Sequence, residues 1–256
     1  MGRQQGPQAR VHPRSGPRGR GHAADRLRRG TSNWTSALAW HGARQGFEVS
    51  IVLTANAVPD SLARLYESLG TEVRHVNRAW FPAAIGLARL RGGRVLPPGG
   101  TGAEGDRGAA HAGEEIAAEI SAGLLPRPAK TFVAVGTGGT AAGIAMGAAA
   151  HGEPLDLVCV RVAPKPFGTT RRVARRLGSS LAERLEADER FFRPGYARPN
   201  AASREAAILA RLDGLELDAT YAAKAFASLV AHARAGMPGP LLFVHTSSGP
   251  VPSAGE

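Results

Sequence analysis

Lysine is nearly missing from this chain: among 256 residues it occurs only at Lys130, Lys165 and Lys224, and the remaining basic charge is arginine. Any chemistry that needs a side-chain amine is confined to those three positions. Cys159 is the sole cysteine, so no internal disulfide can form. Aromatic residues make up 5% of the chain, too few to supply the stacking platforms on which single-stranded nucleic acid is held. No uninterrupted apolar run approaches the roughly 20 residues that span a bilayer. The Arg-bearing N-terminus is followed by no apolar stretch of signal-peptide type. These absences point to a cytoplasmic protein with no membrane segment. His41, His75, His111, His151 and His232 lack ligand spacing, and Cys159 falls in an apolar strand pattern that suits a buried, inert thiol, so no metal site is expected.

The net charge of +11 is unevenly spread. Residues 1–30 hold eight arginines against Asp25 alone, which accounts for seven of those charges. Gly, Pro, Gln and Ser replace the β-branched and aromatic residues that would bury apolar area there, so this leader cannot offset its chain entropy. It is expected to be disordered. Residues 31–95 are expected to form a small α/β subdomain and residues 96–256 a larger one.

From Ser36 the pattern alternates. A small-residue helix closed by Gly46 precedes the apolar run Val49–Thr54, then a helix over Ser61–Gly70 and a strand over Glu72–Val76. Further on, helices are predicted over Ala109–Ala122, Thr140–His151, Thr170–Ala187, Asn200–Leu212 and Ala222–Ala235. Strands are predicted over Thr131–Val135, Asp156–Val162 and Gly239–Thr246. This alternation implies an α/β fold of open, mostly parallel sheets with helices on both faces. Ligands of such sheets bind beyond the carboxyl ends of the strands. Four polar or glycine-rich turns are expected to converge there: Gly30–Asn33, Pro98–Thr101, Gly136–Thr140 and His245–Gly249.

The strongest of them is Gly136-Thr137-Gly138-Gly139-Thr140, directly after an apolar strand and at the opening of a helix. Glycines expose backbone N–H groups, the helix N-terminus carries partial positive charge, and the Thr hydroxyls add donors, which together make a phosphate cup. The competing reading is a tight, closely packed strand-to-helix turn. No Gly-Lys-Ser/Thr follows, and the spacing misses the dinucleotide fingerprint. Ser32, Asn33 and Trp34 place a hydroxyl, an amide and free N–H groups at another helix start, suited to a carboxylate or to plain capping. Thr246 ends an apolar strand, where its hydroxyl could meet a heterocycle nitrogen or simply terminate the strand. Tyr221, just before a helix, offers either a proton-transfer phenol or a packed ring.

In their order along residues 30 to 249, these turns resemble the aminocyclopropane-carboxylate deaminase and D-cysteine desulfhydrase family of fold-type-II pyridoxal phosphate enzymes, relatives of tryptophan synthase β. Thr31-Ser32-Asn33-Trp34 is similar to a Gln-Ser-Asn-His/Gln element, and Pro98-Gly-Gly-Thr-Gly to Pro-Gly-Gly-Ser-Asn. Thr137-Gly138-Gly139-Thr140 with Ala141-Ala-Gly143 is similar to the Thr/Ser-Gly-Ser-Thr phosphate loop, and Gly195-Tyr196 to Gly-Tyr-Gly. Leu217-Asp-Ala-Thr-Tyr221-Ala-Ala-Lys224-Ala resembles Leu-Asp-Pro-Val-Tyr-x-Gly-Lys-Ala, and Phe243-Val-His245-Thr246 resembles Phe-x-His-Thr-Gly-Gly.

The resemblance implies pyridoxal 5'-phosphate, with its phosphate on Gly136, Thr137, Gly138, Gly139 and Thr140, its ring hydroxyl near Asn33 and its pyridine nitrogen near Thr246. It places the substrate carboxylate on Ser32, Asn33 and Trp34, with Tyr221 assisting proton transfer. The implied activity is that of a lyase or deaminase on a small amino acid, of the D-cysteine or aminocyclopropane-carboxylate type, releasing ammonia and a 2-oxo acid in a homodimer. The family's Schiff-base lysine lies in a Gly-Gly-Asn-Lys-x-Arg-Lys segment before the Ser-Asn turn, whereas residues 1–30 contain no lysine. The fold is therefore expected to be N-terminally incomplete. The alternative function is a truncated or catalytically inactive cofactor-binding homologue without that lysine. A nucleic-acid module using the Arg-rich arm ranks last, because its charge sits outside the expected fold.

Overall fold

The protein is described from a computed structural model covering residues 9–13, 23–25, 33–54, 58–165 and 167–246. The chain divides into two compact units whose boundary in sequence lies between Gly100 and Thr101.

The first unit contains β1 (Ala9–Pro13), β2 (Ala23–Asp25), α1 (Asn33–Arg44), β3 (Phe47–Leu53), α2 (Asp60–Ser68), β4 (Glu72–His75) and α3 (Phe81–Leu90). β3 and β4 run parallel, with Ser50 opposite Glu72 and Leu53 opposite His75. Alternation along β3 covers both of its faces, as the two-residue side-chain period of a strand requires. Val49, Ile51 and Leu53 pack with Leu38, Ala39 and Tyr66, while Val52 packs with Phe81 and Ile85 of α3. Helix α3 was not anticipated. Pro82, a helix breaker elsewhere, sits in its first turn, where no N–H is needed. The expectation of a wholly disordered leader is corrected at two places, since β1 pairs antiparallel and β2 parallel with β3. The unpaired N–H and C=O groups at the margin of a strand can be satisfied by any extended segment.

The second unit contains α4 (Ala103–Ser121), β5 (Lys130–Val135), α5 (Gly139–Ala150), β6 (Leu157–Arg161), α6 (Thr170–Ala174), α7 (Ser179–Ala182), β7 (Leu185–Asp188), α8 (Ala201–Leu212), α9 (Ala222–Arg234) and β8 (Leu241–Phe243). The sheet order is β7-β6-β5-β8, and every pairing is parallel. Val133, Val135, Leu157 and Cys159 point into a layer shared with α4 and α5. Their neighbours Phe132, Val158 and Val160 point into the opposite layer, against Ala206 of α8 and Ala225 and Ala227 of α9. Each large apolar side chain so buried contributes about 1.5–3 kcal/mol. The long helix expected over Thr170–Ala187 is instead two short helices and a strand. The chain is extended at Gly178 (φ −66, ψ 163), and Leu185–Asp188 is drawn into the sheet by β6. Helix α4 starts six residues before the expected Ala109, because Gly105 and Gly108 do not break it.

Candidate functional site

β5 delivers the chain to the glycine-rich turn at the carboxyl edge of the sheet, and α5 begins at Gly139. Gly138 precedes the helix at φ +92, a left-handed conformation that residues with a Cβ rarely adopt. No side chain caps α5, so its first N–H groups face outward with the positive end of the helix dipole. A Cβ on Gly139 would lie 2.8 Å from Asp106 Oδ1, and one on Gly138 would lie 3.2 Å from Val173 Cγ2. The turn is closely packed on one side, and no side chain caps the helix start. Gly138 and Gly139 are packed from behind while their N–H side stays uncapped.

The charges around the turn are mostly arginine. Arg172 Nε donates to Thr137 O over 3.1 Å, and its guanidinium lies 4.9 Å from the centre of the Phe167 ring. Burial, then the charges of Arg176 and Arg175, hold the Arg172 pKa below its ordinary value. Arg176 is 3.2 Å from the buried Asp106 carboxylate, offsetting its charge. Thr101 Oγ1 donates to Thr137 Oγ1.

Tyr221 stands beside the cup: a Cβ on Gly136 would be 3.3 Å from its Cε1. Its place at the start of α9 is fixed by Asp218, which accepts from the N–H groups of Thr220, Tyr221 and Ala222 at 2.8–3.0 Å. The phenols of Tyr221 and Tyr196 hydrogen-bond each other, with ring centres 5.8 Å apart in an edge-on arrangement.

Gly136, Thr137, Gly138, Gly139, Thr140 and Tyr221 are thus gathered in the second unit. Thr246 is exposed beyond β8, which pairs with β5, so it lies at the same carboxyl edge. Asn33 and Trp34 belong to the first unit as the opening residues of α1, which starts three residues before the expected Ser36, and Ser32 lies outside the described residues. The Trp34 ring packs over Gly100, where a Cβ would come within 2.6 Å of it. Nothing in the sequence pattern singled out Asp106 or Arg172, and Thr101 stood there only as the end of the Pro98–Thr101 turn. Tyr196 was visible only as part of a motif. Cys159 is buried and its thiol is pushed up to about 12 by burial, in keeping with an inert core residue. Among the described residues, no group of three or more His, Cys, Asp or Glu is placed to hold a metal.

Against known proteins, a family model for "Pyridoxal-phosphate dependent enzyme" matches residues 21–247. The chain belongs to the pyridoxal-phosphate dependent enzymes. Within this family it is 33% identical over 169 residues to the D-cysteine desulfhydrases of Salmonella newport (strain SL254) and Salmonella heidelberg (strain SL476), a match covering 61% of this chain. The chain spans about half the length of these curated relatives, 50%. Their similarity bears out the resemblance seen in the motifs. Among solved structures, an ACC deaminase homologue superimposes with a TM-score of 0.68 at 22% identity, covering 88% of this chain and 72% of that one. Threonine deaminase isoform 2 from Solanum lycopersicum gives 0.57 at 16% identity, covering 91% and 66%. The fold is the fold-type-II fold of this family, as expected.

The residues fit one end of pyridoxal phosphate. The glycine-rich, uncapped turn with Arg172 alongside suits its phosphate. Its aldehyde calls for a lysine amine, and each of the three lysines is paired with another group, Lys165 only at the surface. Lys130 starts β5, at the end of the strand away from the cup, and pairs with Glu186 at 3.2 Å. Lys165 is exposed and pairs with Glu189 at 3.5 Å. Lys224 is fully buried, with its amine on two backbone carbonyls.

Proposed function

We propose that this protein binds pyridoxal phosphate through the Gly136–Thr140 turn and belongs with enzymes that break down a small amino acid to ammonia and a 2-oxo acid. The observation that carries this reading is the uncapped cup with the Tyr221 ring against Gly136 and the Arg172 guanidinium on Thr137. When bound, the cofactor supplies an electron sink for a bond broken at the α-carbon of the amino acid. The cup's N–H groups and hydroxyls hold the phosphate, and Arg172 adds charge favouring a dianion. Tyr221 holds a proton at its phenol oxygen, and Tyr196 orients that phenol. Asn33 for the ring hydroxyl, Thr246 for the pyridine nitrogen, and Ser32, Asn33 and Trp34 for the substrate carboxylate are carried by the order of the motifs alone. A cytoplasmic homodimer is part of the same reading, and sedimentation of the purified chain tests its second half.

D-cysteine is the first substrate to assay: with one water it yields pyruvate, ammonia and sulfide, each separately measurable. 1-Aminocyclopropane-1-carboxylate, which yields 2-oxobutyrate and ammonia, is the second. Production of either set in the presence of pyridoxal phosphate supports the enzymatic reading. The burial of Lys224 and the place of Lys130 at the far end of β5 favour a second reading, in which the protein binds the cofactor without catalysing turnover. Borohydride treatment of the loaded protein followed by peptide mass spectrometry separates the two. A labelled lysine supports the enzyme, and retained cofactor with no labelled lysine and no product supports the binding homologue.

A further inference from the structure

Lys224 has no part in the cofactor chemistry above, yet it is among the largest fully buried side chains of the protein. An ammonium group taken out of water needs partners that recover several kcal/mol of lost hydration. Here the partners are dipoles. Lys224 Nζ donates to Gly195 O at 2.8 Å and Phe192 O at 3.1 Å, and it lies 5.8 Å from the centre of the Phe192 ring. Among the described residues no carboxylate pairs with it. Burial lowers its pKa to about 8, which leaves it mostly protonated at neutral pH.

The segment it holds is a tight turn, closed by Gly195 N donating to Phe192 O at 2.9 Å, with Gly195 at φ +141. A different side chain takes neighbouring carbonyls: Asn200 Nδ2 donates to Arg193 O within the turn at 2.9 Å and to Phe191 O just before it at 3.0 Å. The Arg161 guanidinium lies 4.0 Å from the Phe192 ring centre. The next residue after the turn is Tyr196, whose phenol meets Tyr221, and Tyr221 stands one helical turn before Lys224. The start of α9 therefore grips this segment at two points, a phenol and an amine.

We propose that the Lys224 ammonium acts as a tethered monovalent cation, coordinated by the Phe192 and Gly195 carbonyls, that shapes the turn and so positions Tyr196 on Tyr221. Lys224 is a positioning residue. The clamp is independent of the cofactor; only its importance to catalysis rests on the proposed function. Carbonyl oxygens and an aromatic face are ligands that a free potassium or alkylammonium ion also accepts, so removal of the side chain creates a site that such ions can fill.

The test uses the full chain without cofactor, comparing wild type, K224A and K224M by thermal unfolding and by ultraviolet titration of the tyrosines. Loss of two charge-assisted hydrogen bonds lowers the melting temperature of both variants by about 5–10 °C and shifts the phenol titration of the Tyr196–Tyr221 pair. Potassium or methylammonium restores K224A saturably, while tetramethylammonium at equal ionic strength does not. K224M, its space filled by a thioether, responds to none of them. If K224A fails to fold without added cation, its recovery in potassium but not in tetramethylammonium reads the same way. An unchanged melting temperature and phenol titration in K224M, or a K224A response identical in all three salts, overturns the clamp. Failure of pyridoxal phosphate to bind leaves every one of these readouts in place.

Discussion

Two sets of glycines in the second unit look alike in sequence and do opposite work. Gly113, Gly143 and Gly147 line the seam between α4 and α5, where an added Cβ would strike backbone of the facing helix: Ile144 O for Gly113, Asp106 O for Gly143 and Ala110 O for Gly147. At Gly136 and Gly138, in the glycine-rich turn, the nearest atoms to an added Cβ are side-chain atoms, at 3.3 and 3.2 Å, and the Val173 backbone lies no closer than 3.7 Å to that of Gly138. The seam glycines let two helices approach until their backbones touch. The cup glycines keep N–H groups uncovered at a helix start. Gly143 teaches the difference best. It follows the cup closely and completes the motif that resembles the phosphate loop, yet its surroundings are those of the seam. Gly139 opens α5 and, unlike the seam glycines, would meet side chains only, Asp106 Oδ1 at 2.8 Å and Thr101 Cγ2 at 3.2 Å.

The comparison breaks first, if it breaks, at the seam. Gly147→Val is expected to cost about 3 kcal/mol through overpacking against rigid backbone, measured by urea unfolding, while the folded fraction keeps its affinity for pyridoxal phosphate. Equal loss of affinity would merge the two sets. Cys159 gives a second handle on the packed layer. Its folded thiol titrates near 12 against 9.0 unfolded, so the folded state holds the proton more tightly. That contribution is complete below pH 9 and is lost as pH rises toward 12, so wild-type stability should fall across that window more than that of Cys159→Ala. Gly138→Ala forces a Cβ into a left-handed conformation at a cost of about 1–2 kcal/mol, and it should weaken pyridoxal phosphate binding more than Gly147→Val does. Arg172→Gln is expected to leave unfolding nearly unchanged and to reduce affinity for the phosphorylated cofactor roughly tenfold, the loss of one charge-assisted contact, read by calorimetry. The smallest effect on stability is at Gly136→Ala, within about 0.5 kcal/mol, with any loss of activity arising from displacement of the Tyr221 ring.

Much of the strand, turn and helix around Gly136–Thr140 was legible because its signals are local. Thr131–Val135 is a continuous apolar run, the glycines follow at once, and Ala141–Ala150 has the small-residue composition of a packed helix. The seam was not legible, since nothing in Gly113 or Gly147 tells which other helix approaches. The segment Leu185–Asp188 reads as the end of a charged helix and becomes a strand only because β6 offers an edge. Its Asp188 carboxylate shows the same limit. Burial pushes its pKa up, but hydrogen bonds from Arg190 and from Ser228, the latter forty positions away, hold it below the ordinary range. Lys224 in sequence is one apolar-flanked lysine in a helix, and its carbonyl partners lie about thirty residues back. Tyr196 and Tyr221 likewise meet only through the folding of the chain between them.

A Gly136–Thr140 turn built for a phosphate must distinguish two ligands that differ only in that group. Calorimetric titration of the purified chain with pyridoxal 5'-phosphate and with pyridoxal is predicted to give binding of the first that is at least tenfold tighter. The same preference should collapse in Gly138→Ala and Arg172→Gln. Equal affinity for the two ligands, or a preference that survives both substitutions, would contradict the account.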